Sequence, residues 1–479
     1  HTPTYFQPAA STGGAMGTPK TVRTISQQAF NDIVRENIDD FGMEPGDALA
    51  DALHTLSLQS VDLAGIVTCV PGASSFEDNP VIQCLDKIRR LDLDGSDQRG
   101  DLYYEEVASL FERLAELCSI EANAAIATRN GAVELACLIC SKIRLDSEQC
   151  LVSALKALAS FLHDVQSRDM FQKSDGPKLL MGILNDGCQN MNILSSGFSV
   201  VSAAATGNEI VKDSFMDLKI DELIIQIMTV HDKGIIQSLH DSICILLNPD
   251  DNRVVASQVY GYARRFAKLG IADALVESLD EGLSSLSLVS ISSALKAIAV
   301  NDEICRSIAG KDGVKSVLRC INDSGLQGSK SAAKALCSLL SKMAGSDSVK
   351  TEVTERGGLE KLIKLSTTFS DDPAVLQEIM FVICVLTLRS PANAAHAVEA
   401  GAGDLAIQAM QKFPMADRMQ QNSCLMIRNL VVRNPENRAS LLNNGAEKAI
   451  RKAWERHGSC KDAAVAALRD LGVRNYNSL

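Results

Sequence analysis

The side chains of this chain that could do chemistry are badly placed for it. His240, Asp241 and Ser242 are the residue types of a hydrolytic triad, where Ser attacks, His takes its proton and Asp orients the imidazole. Here they are contiguous, and neighbours on one helix point in different directions, so the three cannot converge. Cys137 and Cys140 form a C-x-x-C inside AVELACLICSKI. A structural zinc site needs four ligands, and no second Cys or His pair stands at a matching distance. The histidines, at 1, 54, 163, 231, 240, 396 and 457, follow no pattern. Gly401-Ala402-Gly403 is a helix-turn doublet, with no strand before it to make a dinucleotide fingerprint, and no phosphate-cradling loop occurs. Carboxylates are plentiful but fall on polar helix faces. The expectation is no enzyme, no cofactor and no metal.

Bulk properties narrow the classes further. With 479 residues the chain exceeds a single core and must be several domains or one long array. Aromatics are only 4% of residues while hydrophobics reach 46%, so Leu, Ala, Ile and Val do the packing, as between helices. A net charge of −12 argues against nucleic acid, whose binding rests on Lys and Arg neutralising phosphates. The charge is uneven. Asp32, Glu36, Asp39, Asp40, Glu44, Asp47 and Asp51 form an acidic head, and Lys448 to Arg474 is a mostly basic tail. The 14 cysteines are scattered through apolar helical runs, which suits buried thiols in a reducing cytosol or nucleus. No apolar run is long enough to span a membrane and no signal peptide is visible, so no membrane partner is expected.

What must position any functional residue is a repeat. Gly313-Val314, Gly357-Gly358, Gly401-Ala402 and Gly445-Ala446 lead similar phrases 44 residues apart. Backward, related phrases fall at Gly131, Gly176, Lys219 and Gly270, with steps of 45, 43, 51 and 43. Such a period marks an α-solenoid, whose units bury their apolar faces only against neighbours. The long step predicts an insertion over 248–262, where Pro249 precedes an extra or lengthened first helix. Each unit reads short helix, Gly turn, medium helix, long helix, and the long helices carry apolar residues at i, i+3, i+4 and i+7. Residues 1–15 read as the remnant of a fused tag, with Met16 a natural start, 21–93 as an N-terminal helical region with Ser26 an N-cap, 94–101 as a linker, and 102–479 as about eight repeats.

The three-helix unit resembles the armadillo repeat over residues 102–472, and LMIRNLV at 425–431 is similar to that family's third-helix core. Segments AFNDIVRENIDDFGMEP (29–45), VDLAGIV (61–67) and the C-terminal stretch 424–472, with CLMIRNLV, GAEKAIRKAW and CKDAAVAALRDLG, resemble the armadillo-repeat-containing protein six family. The resemblance implies an intracellular, all-α, right-handed superhelical solenoid with N-terminal capping helices and a concave groove lined by third helices. Peptide-binding armadillo proteins such as importin-α present Trp and Asn four residues apart on those helices. Set in register on Asn429, the Asn row here is Ser160, Ser202, Ile245, Ala297, Lys342, Val385, Asn429 and Asp470. The Trp row is Lys156, Phe198, Asp241, Ser293, Ser338, Phe381, Leu425 and Ala466. One Asn and no Trp remain, which disfavours a receptor for basic nuclear-localisation peptides. Lys156, Lys342, Arg428 and Arg469 are spread too thinly for a strongly basic groove. Apolar spots at Phe198, Ile245, Phe381 and Leu425 suit a helical or extended protein segment, though a slip of one residue would return Phe198 or Phe381 to the core. The functional expectation is a protein-binding scaffold or adaptor. A nuclear-transport-type adaptor, or a regulatory subunit docking through its convex face or the 248–262 insertion, is the alternative. The N-terminal helices either cap the first repeat or occupy the groove.

Overall fold

The computed structural model describes residues 23–70, 76–93, 100–143, 145, 147–230, 236–250, 256–280 and 284–478. The expected tag remnant, residues 94–99 of the expected linker and residues 251–255 of the expected insertion lie outside the described residues.

Helix α1 (Gln27–Asp39) starts where Ser26 Oγ accepts the Ala29 N–H at 3.1 Å, the cap expected from sequence. It pairs with α2 (Pro45–Leu58), and Phe30, Val34, Ala48, Ala52, Leu56 and Ile66 close a small core of their own. A short parallel pair, β1 (Arg23–Thr24) with β2 (Val61–Asp62), ties the ends of this module. Helices α3 (Pro80–Leu93) and α4 (Asp101–Leu117) follow, and the apolar face of α3 (Val81, Ile82, Leu85, Ile88) joins the solenoid core, not the core of α1 and α2.

Eight three-helix repeats come next. They are α5 (Glu121–Arg129), α6 (Ala132–Lys142) and α7 (Glu148–Phe161); α8 (Val165–Lys173), α9 (Gly176–Asp186) and α10 (Met191–Ala205); α11 (Glu209–Asp217), α12 (Ile220–Val230) and α13 (Gln237–Leu247). The fourth and fifth repeats are α14 (Ala256–Lys268), α15 (Ile271–Ser278) and α16 (Ser285–Ile298), then α17 (Asp302–Gly310), α18 (Gly313–Leu326) and α19 (Lys330–Met343). The last three are α20 (Asp347–Glu355), α21 (Gly358–Thr368) and α22 (Pro373–Thr387); α23 (Pro391–Glu399), α24 (Ala402–Lys412) and α25 (Asp417–Val431); and α26 (Arg438–Asn443), α27 (Ala446–Arg456) and α28 (Lys461–Asp470). The result is an all-α solenoid in which each third helix packs on the next, from α4 through α28.

The N-terminal module rests on α5. Arg129 Nη1 donates to the Ile25 carbonyl at 3.2 Å. Gln27 exchanges two hydrogen bonds with the Val67 backbone, at 2.9 and 2.8 Å. Gly65 (φ +77°) approaches α5 so closely that a Cβ would lie 2.7 Å from the Ala125 carbonyl oxygen.

Every turn between first and second helices carries one left-handed residue: Gly131, Asp175, Lys219, Gly270, Asp312, Gly357, Gly401 and Gly445. At three of the eight it is not glycine, and a Cβ in this region costs about 1–2 kcal/mol. Lys219 (φ +63°) makes only an exposed ion pair with Glu222 at 3.1 Å, an interaction of little worth in water. Lys219→Gly is therefore expected to stabilise the chain by about 1 kcal/mol, read as a higher midpoint in thermal unfolding. A lower midpoint would contradict the strain.

The fourth residue of several first helices reaches back to the end of the third helix in its own repeat. Arg168 Nε donates to the Ala203 carbonyl at 3.0 Å, Lys212 Nζ to that of Asn248 at 2.7 Å, and Lys350 Nζ to that of Leu388 at 3.3 Å. These cations meet orphan carbonyls at the negative end of the helix dipole. Lys212 also holds Asp250 Oδ2 at 2.5 Å and Glu209 Oε1 at 3.1 Å, fixing the start of the long connection. Beyond it α14 has 13 residues where α11 and α17 have 9, the lengthened first helix expected from Pro249. Arg265 of α14 clamps buried Asp221 of α12 through Nε (3.0 Å) and Nη2 (2.8 Å).

Candidate protein-binding face

Six third helices, α7, α10, α16, α19, α22 and α25, present comparable stripes when counted from their first residue. The ninth residues are Lys156, Ser199, Ser293, Ser338, Phe381 and Leu425. The thirteenth are Ser160, Ala203, Ala297, Lys342, Val385 and Asn429. All twelve are exposed or half-buried, while the two residues that follow each ninth residue are buried. On the shorter α13 and α28, Asp241 with Ile245 and Ala466 with Asp470 are likewise half-buried.

Two expected residues of α10 are out of register: Ala203 takes the place of Ser202, and Ser199 that of Phe198. Phe198 is fully buried, and Ser199 stands at the surface instead. One residue along a helix is a rotation of about 100°, enough to carry a side chain from a surface stripe into the core. Registering on apolar pattern placed α10 one residue off; counting from its cap Asn190, which accepts the Ile193 N–H at 3.1 Å, gives Ser199. Ser202 is half-buried and turned to the next helix, its Oγ 3.0 Å from Ser242 Oγ.

Several polar residues of the face are spent on the scaffold. Asn429 Nδ2 donates to the Cys384 carbonyl at 3.0 Å, tying α25 to α22. Arg428 and Arg469 converge on Asp470 at 3.1 and 2.8 Å. Burial pushes the Asp470 carboxyl up, but the hydrogen bonds from Arg469 and Arg428 outweigh it and hold it below the usual range. Lys330 pairs with Asp372 at 3.0 Å. By contrast Lys296 reaches only Ser338 Oγ, at 2.6 Å, and exposed Lys334 and Lys342 meet no carboxylate at ion-pair distance among the described residues. Beside them lies an apolar group: Phe381 is 46% exposed and Leu388 and Val432 40% each, with Val385 and Leu425 half-buried. Sequence reasoning missed Ser199, Lys296, Lys334, Leu388 and Val432, of which a count from the helix cap would have found Ser199.

Asp241 is the one acid of the face whose burial leaves it uncomfortable, since desolvation raises its pKa. A carboxyl with a raised folded pKa destabilises the fold when ionised, and the penalty fades as pH falls through that pKa. Asp241→Asn should thus stabilise the chain at pH 7 by less than about 1 kcal/mol, solvent screening being substantial, with the gain vanishing in acid. Unfolding midpoints at pH 7 and pH 4 check both signs.

The chemistry-bearing motifs diverge as their spacing implied. His240 is buried with Nδ1 3.2 Å from Ser290 Oγ, whereas Ser242 Oγ donates to the Phe198 carbonyl at 2.9 Å. Cys137 and Cys140 are buried; burial pushes the Cys137 thiol up to about 12 and Cys140 higher still. Among the described residues no cluster of His, Cys, Asp or Glu could hold a metal, and no helix is long and apolar enough to cross a membrane.

Residues 22–81, which contain the α1–α2 module, match the family model of the armadillo repeat-containing protein 6 N-terminal domain. The human armadillo repeat-containing protein 6 is 27% identical over 406 residues, covering 80% of this chain and 79% of that protein. The Drosophila melanogaster homolog is 26% identical over 387 residues, covering 79% and 80% respectively. A crystal structure of an engineered protein aligns over 82% of this chain and 99% of its own, with a TM-score of 0.55 at 16% identity, a likeness of fold. With a matching N-terminal module, relatives aligned along four-fifths of their length and a ladder of three-helix repeats, the chain is an all-α solenoid similar to armadillo repeat-containing protein 6.

Proposed function

We propose that the chain is a non-catalytic scaffold that holds a segment of a protein partner along its third-helix face. One observation carries this reading: Phe381, Val385, Leu388, Leu425 and Val432 place an apolar cluster on a face that otherwise carries Ser, Lys and Asn. A contiguous exposed apolar cluster with a polar rim is the usual mark of a contact surface. The free cysteines, mostly buried, suit a reducing compartment, cytosol or nucleus. The missing Trp–Asn ladder speaks against a basic nuclear-localisation peptide as ligand.

The test is affinity purification with mass spectrometry on the wild type and on Phe381→Ser/Leu425→Ser. Asn429 is left intact because its amide bonds α25 to α22. The expected result is at least one partner missing from a double variant of unchanged helicity and melting point. Retention of every partner would move the contact elsewhere. A second reading, docking through the second helices as a regulatory subunit, is favoured by a cavity of about 650 Å³ between α6 and α9, lined in part by Leu138, Leu145, Leu179 and Ile183.

A further inference from the structure

We infer that the segment taken by the third-helix face is acidic where it crosses α16 and α19 and apolar where it crosses α22 and α25; this rests on the reading of that face as a binding surface. The argument is charge complementarity. In a chain of net charge −12, Lys296, Lys334 and Lys342 crowd two adjacent helices without a carboxylate partner. Other cations of the face have carboxylate partners: Arg428 and Arg469 share Asp470, and Lys330 pairs with Asp372. Lys156 is the single cation of α7, and its neighbour α10 carries none, so it forms no cluster. The flanking acids, Asp241 on α13 and Glu378 on α22, are both half-buried and leave the lysine cluster positive.

The two chemistries are adjacent and in register. Ser338 and Phe381 are ninth residues of neighbouring helices, and Lys342 and Val385 are thirteenth. From α16 to α25 there are three helix-to-helix steps of about 10 Å, so the stretch spans about 30 Å. An extended segment of about nine residues, at roughly 3.3 Å each, covers it. Asp or Glu at one end would meet the ammonium groups, and two or three Leu or Phe side chains at the other would cover Phe381, Val385 and Leu425. Long-range attraction from the lysines would speed encounter and make binding salt-dependent, while the apolar end would set the residence time.

The experiment is selection of a displayed library of random 12-residue peptides on the full chain, followed by anisotropy titration of the enriched peptides. Enriched sequences should join an acidic half to an apolar half. Lys334→Glu/Lys342→Glu should weaken them at least about tenfold at low salt, and half a molar salt should blunt that difference. Both lysines are exposed, so the variant should fold; Lys334→Gln/Lys342→Gln serves as the milder second variant. Peptides that are neutral or basic, indifferent to the lysines but lost on Phe381→Ser/Leu425→Ser, overturn the acidic assignment and keep the face. Peptides indifferent to both pairs of substitutions, or no enrichment at all, overturn the face itself.

Discussion

Gly313→Ala is expected to lower stability by about 2–3 kcal/mol, as a shift of the urea unfolding midpoint followed by circular dichroism. Gly313 is the first residue of α18, and a Cβ there would sit 2.3 Å from the Ile308 carbonyl oxygen and 3.0 Å from its carbon. Those are backbone atoms of α17, so no side-chain rotation can relieve the contact, and α17 must shift off α18. Asp312, one residue earlier, supplies the left-handed turn, which leaves close approach as the reason for glycine at 313. Gly310→Ala is the control. It lies in α17 with nothing within 4 Å of its added Cβ, so it should be neutral or stabilise by up to about 1 kcal/mol through helix propensity. Equal midpoints for the two variants would remove the steric explanation.

Lys212→Met should cost about 3 kcal/mol, near the lower end for breaking a buried pair from one side. The Lys212 side chain is only 1% exposed, while Asp250 and Glu209 keep 30% and 26% exposure, so water softens the loss of their partner. The Asn248 carbonyl and the Gly207 N–H contact to Asp250, at 2.6 Å, would also lose their anchor. Lys350→Met makes the comparison. It occupies the same place in its repeat, but its carboxylate partner Asp347 is 95% exposed, so the cost should fall to about 1 kcal/mol. Hydrogen exchange should rise in Lys212→Met around 207–212 and 248–250. A Lys350 effect as large as that of Lys212 would place the stabilisation in the helix-end contact alone, not in the buried ion network.

The repeat was legible because its signal is local: a glycine at a bend and apolar residues at helical spacing. Ser26 as cap, the helix triplets and the lengthened α14 follow from such short-range rules. The identity of the left-handed residue was less legible. Asp175, Lys219 and Asp312 take a conformation that glycine favours because tertiary packing fixes the turn, and packing is not written at the turn itself. The face was legible only in part. Phe381, Val385 and Leu425 stand where the register put them, but Phe198 falls into the core through one residue of phase. Asn429 falls in the row where peptide-binding armadillo proteins carry Asn, while its amide binds the backbone of α22. The same donor serves either role, and only the distance to the neighbouring helix decides. The lysine cluster escaped because the neutralising partners of Arg428 and Lys330 come from other helices, so sequence alone could not tell paired cations from unpaired ones.

The ninth-residue row has a consequence for how such a chain changes over time. Its members face solvent, so exchanging Ser338 or Phe381 for another residue leaves no hole in the interior and moves no backbone. Residues two repeats apart on this row are separated by about 20 Å, beyond the range at which substitutions usually couple. Each position can then drift on its own, like a letter reset without disturbing the rest of a line. Two chains of this architecture could share every buried contact and still read different partners, which makes whole-chain identity a poor guide to what each one holds.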